Sequence, residues 1–123
     1  MRHWNAGSLT TSLQSIVRAG TSEYIIVKEI WIANYGASST TVDIMIQRSG
    51  EDAKNDSYLI KNHQVRNNNH KRFEQTYICL TPGDSLLASA ADNSLIAFWA
   101  FGDVGVRNSF SPMPTISSFE NYK

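Results

Sequence analysis

The sequence predicts an all-β fold: an antiparallel β-sandwich of seven or so short strands, with a jelly roll among the arrangements that fit. Three observations predict it. Clusters of Gly, Pro, Asn, Asp and Ser recur at near-regular spacing. The runs between them are rich in β-branched and aromatic residues, which suit a pleated, half-buried surface. No stretch carries the 3.6-residue apolar period of a helix. At 123 residues the chain makes one domain and buries a real core without disulfides.

Residues 1–8 are polar apart from Trp4 and read as an N-terminal arm, mobile or bound to a partner. Trp4 either tucks onto its own domain or contacts another. Residues 9–17 form a candidate first strand with Leu13 and Ile16 as its apolar residues. A turn over 18–22 follows, with Gly20 the expected positive-φ position. The run 24–34 changes parity: Ile25 and Val27 share one face, Ile30 and Ile32 the other. Either the strand is buried on both faces or a bulge near Lys28 and Glu29 shifts the phase, and the bulge is favoured because it buries no charge. The link 35–39 is mostly small, with Gly36 free to take positive φ. In the next run Val42, Ile44 and Ile46 point one way and Asp43, Met45 and Gln47 the other. The whole stretch 24–46 reads as a β-hairpin, with 30–34 pairing to 40–46.

Residues 48–57 read as a loop and 58–60 as a short strand. The stretch 61–72 holds Lys61, Arg66, Lys71 and Arg72, with His63 and His70 and no acid. It is expected to be a solvated loop between strands. An anion site is the alternative, but the neutral chain offers less basic charge than nucleic acid normally requires. The two histidines, seven apart, match no standard metal pair. Residues 73–80 form a strand with Phe73, Gln75, Tyr77 and Cys79 on one face. Cys79 is expected to be a small buried residue. Residues 81–84, Thr-Pro-Gly-Asp, place Pro and Gly as a type II turn prefers. The strand 85–91 is made mostly of small residues, so something bulky must pack over it. A tight turn at 91–94 leads to the most apolar strand, 95–101, which belongs in the middle of a sheet. Residues 102–105 end the regular part, so the sandwich spans 9–105 and a C-terminal arm spans 106–123. The expected core is Ile30, Ile32, Val42, Ile44, Ile46, Ile96, Phe98 and Trp99, with Phe98 and Trp99 on opposite sides of their strand.

Eleven basic residues balance eleven acidic ones, so no global charge steers the chain to nucleic acid or to an acidic membrane. That neutrality suits a subunit that packs against copies of itself. Cys79 stands alone, which excludes an intrachain disulfide framework. No apolar run approaches the length of a membrane helix. The N-terminus lacks an apolar signal region, so the expectation is a protein that is not secreted. No phosphate loop, nucleophile elbow or metal box is present, so no enzyme and no cofactor is expected. Glu29, Asp43 and Asp84 are scattered carboxylates that only a fold could bring together.

Four segments carry a resemblance: Val17-Arg18-Ala19-Gly20-Thr21, the run from Val27 to Asn34, Thr41-Val42-Asp43-Ile44, and Leu80-Thr81-Pro82-Gly83-Asp84-Ser85-Leu86. In this order they resemble small β-sandwich structural proteins of tailed bacteriophages. Those proteins show a Pro-Ala-Gly turn, a strand ending in Asn, a Ser/Gly/Ala-rich loop, and a Pro-Gly-Asp turn before a small-residue strand. Arg18 stands here where that family usually has Pro. The resemblance covers roughly residues 13–101. It implies a non-enzymatic virion component of the neck, tail or capsid surface, assembled in the host cytoplasm. Its implied partners are copies of itself and other virion proteins, so a homo-oligomer is expected. It implies no site residues.

Candidate assembly contacts come from the arms: Trp4, Phe110, Met113, Ile116, Phe119 and Tyr122. The C-terminal five are spaced among Ser, Thr and Asn with Pro112 and Pro114, too many hydrophobes for an inert linker. The other function class is a carbohydrate-binding sandwich, in which exposed aromatics such as Trp31 or Tyr35 stack on sugar rings. Core packing is the plainer role for Trp31 and Trp99.

Overall fold

Eight strands build the molecule: β1 (Arg2–Ala6), β2 (Gln14–Arg18), β3 (Glu23–Asn34), β4 (Thr40–Gln47), β5 (Tyr58–Val65), β6 (Asn69–Leu80), β7 (Ser85–Ala90) and β8 (Ile96–Val106). They are seen in a computed structural model that describes residues 1–51, 57–92 and 95–106. Two four-stranded sheets form, with orders β1-β8-β3-β6 and β2-β7-β4-β5, and every ladder is antiparallel. Consecutive strands change sheet at each step except β4 to β5. The chain is therefore wound as an eight-stranded jelly roll, and the all-β sandwich is as expected.

The core lies between the sheets. Ile25, Val27, Ile30 and Ile32 of β3 and Ile96, Phe98 and Ala100 of β8 meet Val42 and Ile44 of β4 and Leu86, Ala88 and Ala90 of β7. β7 is wholly buried and built from small residues, so the bulk of Phe98 and the β3 isoleucines fits opposite it. Ile44 has no exposed surface, so Ile44→Val should cost about 0.5–1.5 kcal/mol by denaturant titration. A cost indistinguishable from zero would mean that the core yields at this point. Ile46 is only partly buried, and Trp99 faces away from the core.

The bulge in β3 sits where the parity change places it. The register jumps between Val27 and Glu29 against both neighbours, and against β8 Lys28 is the extra residue. Lys28 points outward to Asp103, Nζ to Oδ2 2.5 Å. Opposite the bulge, β6 takes three residues, Gln75, Thr76 and Tyr77, to cover the same step. Gln75 and Tyr77 have φ of 56° and 46°, the left-handed region. This irregularity resets the faces of β6. Phe73 packs against the core with Ile78, while Cys79, expected to be buried, is exposed on the outer face.

The expected β-hairpin over 24–46 does not form. β3 and β4 lie in different sheets with no ladder between them, and 35–39 is a crossover across the end of the sandwich. Asn34 makes that corner. It is 1% exposed, its Oδ1 accepts from the Gly36 N–H, and its Nδ2 donates to the carbonyls of Ser38 and Val65. The turn is thus closed by a side chain, and Gly36 does not need positive φ. Gly20 does not take it either. Its N–H donates to Glu23 Oε1, and the Glu23 N–H donates back to the Gly20 carbonyl.

Residues 81–84 form the expected type II turn, with Gly83 at φ 88° and the Asp84 N–H donating to the Thr81 carbonyl at 2.9 Å. This turn and the one after β2 hold each other: Ala19 donates to the Asp84 carbonyl and Gly83 to the Ala19 carbonyl. The segments 17–21 and 80–86 therefore lock one corner of the sandwich.

Further expectations change. Residues 2–6 are an edge strand paired to β8, so the N-terminal segment belongs to the sandwich. Trp4 packs on its own core. The stretch 61–72 is the end of β5, a turn at Arg66–Asn69, and the start of β6. Both are edge strands with much of their length in water, and a charged, unpatterned sequence suits such an edge. The strand expected over 9–17 is β2 and starts at Gln14, although Leu9 is fully buried and its N–H donates to the Ile96 carbonyl. The regular part runs to Val106 in β8, past the expected end at 102–105. Phe110, Met113, Ile116, Phe119 and Tyr122 lie outside the described residues.

Candidate functional site

The outer face of the sheet β1-β8-β3-β6 collects the exposed aromatics. The alternation that points Ile30, Ile32, Phe98 and Ala100 inward points Trp31, Trp99 and Phe101 outward. Register then brings them together. Trp31 stands opposite Trp99, and His3 opposite Phe101. The Trp99 and Phe101 rings lie 6.3 Å apart at an interplanar angle of 11°, and the Trp31 ring tilts onto Phe101 at 5.7 Å. His3 closes the cluster at 5.6 Å from Trp99 and 6.3 Å from Phe101. Trp31 is 41% and Trp99 37% exposed, large values for tryptophans in the middle strands of a sheet. Ile26 and Tyr24 are exposed on the same face below the bulge, beyond the Lys28–Asp103 ion pair.

A polar rim borders the rings. The Trp31 Nε1–H donates to Glu29 Oε1 at 2.7 Å, and Arg72 Nε lies 3.0 Å from the same oxygen. Arg72 also pairs with Glu74, and its guanidinium carbon sits 5.2 Å from the Trp31 ring centre. The hydrogen bond from Arg72 to Glu74 raises the Arg72 pKa further, so the guanidinium stays charged. On the other side, Asp103 pairs with Lys28 and lies 3.8 Å from the Met1 amino group. The hydrogen bond from Lys28 lowers the Asp103 pKa, and the same bond raises that of Lys28.

This arrangement can stack on a flat apolar partner or on sugar rings and donate or accept hydrogen bonds around it. It holds no nucleophile–base pair. The three scattered carboxylates stay apart: Glu29 is on this face, Asp43 Oδ1 accepts from the Asn62 N–H on the other sheet, and Asp84 sits at a corner. Among the described residues, no group of three or more His, Cys, Asp or Glu could hold a metal ion. His63 packs edge-on to Phe73 at 5.4 Å. Lys61 lies over Tyr58, Lys71 over Phe73 and Arg72 over Trp31, so three of the four cations of the 61–72 stretch sit on aromatic rings.

Trp31, one of the aromatics singled out for stacking, is at the centre of this face. Tyr35 is not in the cluster; it lies beyond the end of β3 and its hydroxyl donates to the Gly7 carbonyl at 2.9 Å. Trp4, singled out as an assembly contact, points the opposite way. Phe101 and His3 were missed by sequence reasoning. The signal was the alternation Trp99-Ala100-Phe101, which puts two aromatics on one face.

No family model matches the sequence, and no curated protein matches it. A solved structure titled "Family 16 Carbohydrate Binding Module-2" is similar at 16% identity and a TM-score of 0.27, over 79% of this chain and 72% of that one.

Proposed function

We propose that this chain is a non-enzymatic structural component of a tailed-phage virion, at the neck, tail or capsid surface. It acts by packing against copies of itself and other virion proteins. The observation that carries the reading is the outer aromatic face. An outer face that carries Trp31, Trp99 and Phe101, with exposed Ile26 and Tyr24 further along it, on a neutral chain is surface suited to cover by another protein. The ordered turn motifs support the phage assignment, and the jelly roll is an architecture shared by capsid and lectin domains. Function is not read from the fold alone.

Trp99→Ala is the test. The side chain is partly exposed and outside the core, so thermal stability should change little. Loss of a tryptophan anchor from an interface costs about 2 kcal/mol or more, so self-association should weaken at least ~30-fold in sedimentation. Wild-type protein that sediments as a monomer at high concentration, and is absent from purified virions, would overturn the reading.

The second reading is a carbohydrate-binding sandwich using the same face. Its specific support is the near-parallel Trp99 and Phe101 rings, bordered by Glu29, Arg72 and Glu74. A glycan array separates the two. Monomeric protein that binds glycans, and loses them with Trp99→Ala, selects the second.

A further inference from the structure

The sandwich is open along one side. β5 and β6 are the edge strands of the two sheets, they lie on the same side, and no ladder joins them. Between them is an apolar crevice of about 220 Å³. Ile30 and Ile44 lie deepest, Leu59 and Ile60 line the β5 side, and Phe73 and Ile78 line the β6 side. Leu59 is 46% exposed at the mouth. Thr76, where β6 spends three residues on one step of β3, also lines the crevice, and its hydroxyl donates to the Val27 carbonyl at 2.7 Å. A gap with almost no polar lining has little to offer water.

The chain itself holds a segment that suits this crevice. Past Val106 come 17 residues, and their large hydrophobes fall at every third position: Phe110, Met113, Ile116, Phe119 and Tyr122. Polyproline II has three residues per turn, so this spacing, with Pro112 and Pro114, would put all five side chains on one face. Such a strip needs no backbone pairing. It can lie along an irregular edge and drop a side chain into a gap between sheets.

We infer that the crevice between β5 and β6 receives the C-terminal segment 107–123 of a second copy of this chain. A second copy is favoured by reach. Val106 pairs with Glu23 at one end of β3, whereas the near end of the crevice, Ile78, pairs with Val27 and lies two strands away from β8. That separation is ~16 Å in a straight line. The four residues from Val106 to Phe110 span at most ~14 Å, so within one molecule the first hydrophobe of the series falls short. A neighbouring molecule can lay the full series along the edge. The inference deepens the packing reading and rests on it.

The test uses the full chain with a benzophenone-bearing phenylalanine in place of Phe119. Illumination should give a covalent dimer, with the tail peptide joined to peptides of β5 or β6 that contain Leu59 or residues 73–78. Leu59→Glu places a charge at the half-exposed mouth, where folding tolerates it, and should abolish that dimer while leaving the melting curve in place. Links confined to one chain, links elsewhere on the surface, or no links overturn the inference. Sedimentation of the same samples separates the two readings. An oligomer without these links removes only the tail contact, whereas a monomer removes self-packing as well.

Discussion

Gly102→Ala is expected to cost more than about 4 kcal/mol, enough to unfold much of the population of a domain of ordinary stability. Gly102 lies in β8 opposite Val27, where the β3 bulge pushes its backbone toward β8. A Cβ there would overlap the Ile26 carbonyl oxygen and come within 3.0 Å of both the Ile26 carbonyl carbon and Val27 Cα. These are backbone atoms of a strand paired on both sides, so no side-chain rotation relieves the clash. The bulge exists because Lys28 and Glu29 interrupt an otherwise buried face, so Gly102 is the counterpart of two charged residues in another strand. Gly105→Ala is the control, since its nearest contact would be the Tyr24 carbonyl oxygen at 3.9 Å. A urea midpoint for Gly102→Ala close to that of the control would show that β8 can shift cheaply.

Asp84→Ala should cost about 3–5 kcal/mol, the range for removing one partner of a buried charged network. Asp84 is 2% exposed, and its carboxylate accepts from the Thr81 N–H and hydroxyl, the Ser49 N–H and Arg48 Nη1, at 2.6–2.9 Å. Truncation strands the Thr81 and Ser49 amides at a buried corner and frees the two turns that meet there. The same network sets a pH dependence. Burial pushes the Asp84 carboxyl up, but the hydrogen bonds from Thr81, Ser49 and Arg48 outweigh it and hold the pKa at about 2, below the ordinary 3.8. The folded state binds this proton more weakly than the unfolded state. The contribution is therefore complete above pH 4 and lost as pH falls through about 2, to a total of about 2 kcal/mol. Denaturation of wild type and Asp84→Ala between pH 5 and pH 2 should converge by about that amount. Parallel curves would show that the carboxylate is not charged in the fold.

Local chemistry made much of this protein readable from its sequence. The parity change between Val27 and Ile30 located the bulge, because burying Lys28 and Glu29 would be too costly. Thr-Pro-Gly-Asp named its own turn, because Pro fixes φ at one central position and Gly permits the positive φ that the other requires. Alternation assigned Val42, Ile44 and Phe98 to the core and set Trp99 on the opposite side from Phe98. Each of these depends on neighbours within a few residues along the chain.

Strand partners were decided only by the tertiary structure. Alternation says which face of β3 is buried but not which strand lies beside it, and a five-residue link can close a hairpin or cross between sheets about 10 Å apart. Asn34, holding Ser38 from nearby and Val65 from the far end of β5, settles that choice through a contact 31 residues long. The outer face was hidden for the same reason. Trp31 and Trp99 sit in strands apolar enough to be buried on both sides. They remain exposed because no further layer of the chain, among the described residues, covers that sheet. Whether a hydrophobic residue ends in a core or on a binding surface depends on what packs over it, and that is a property of distant segments.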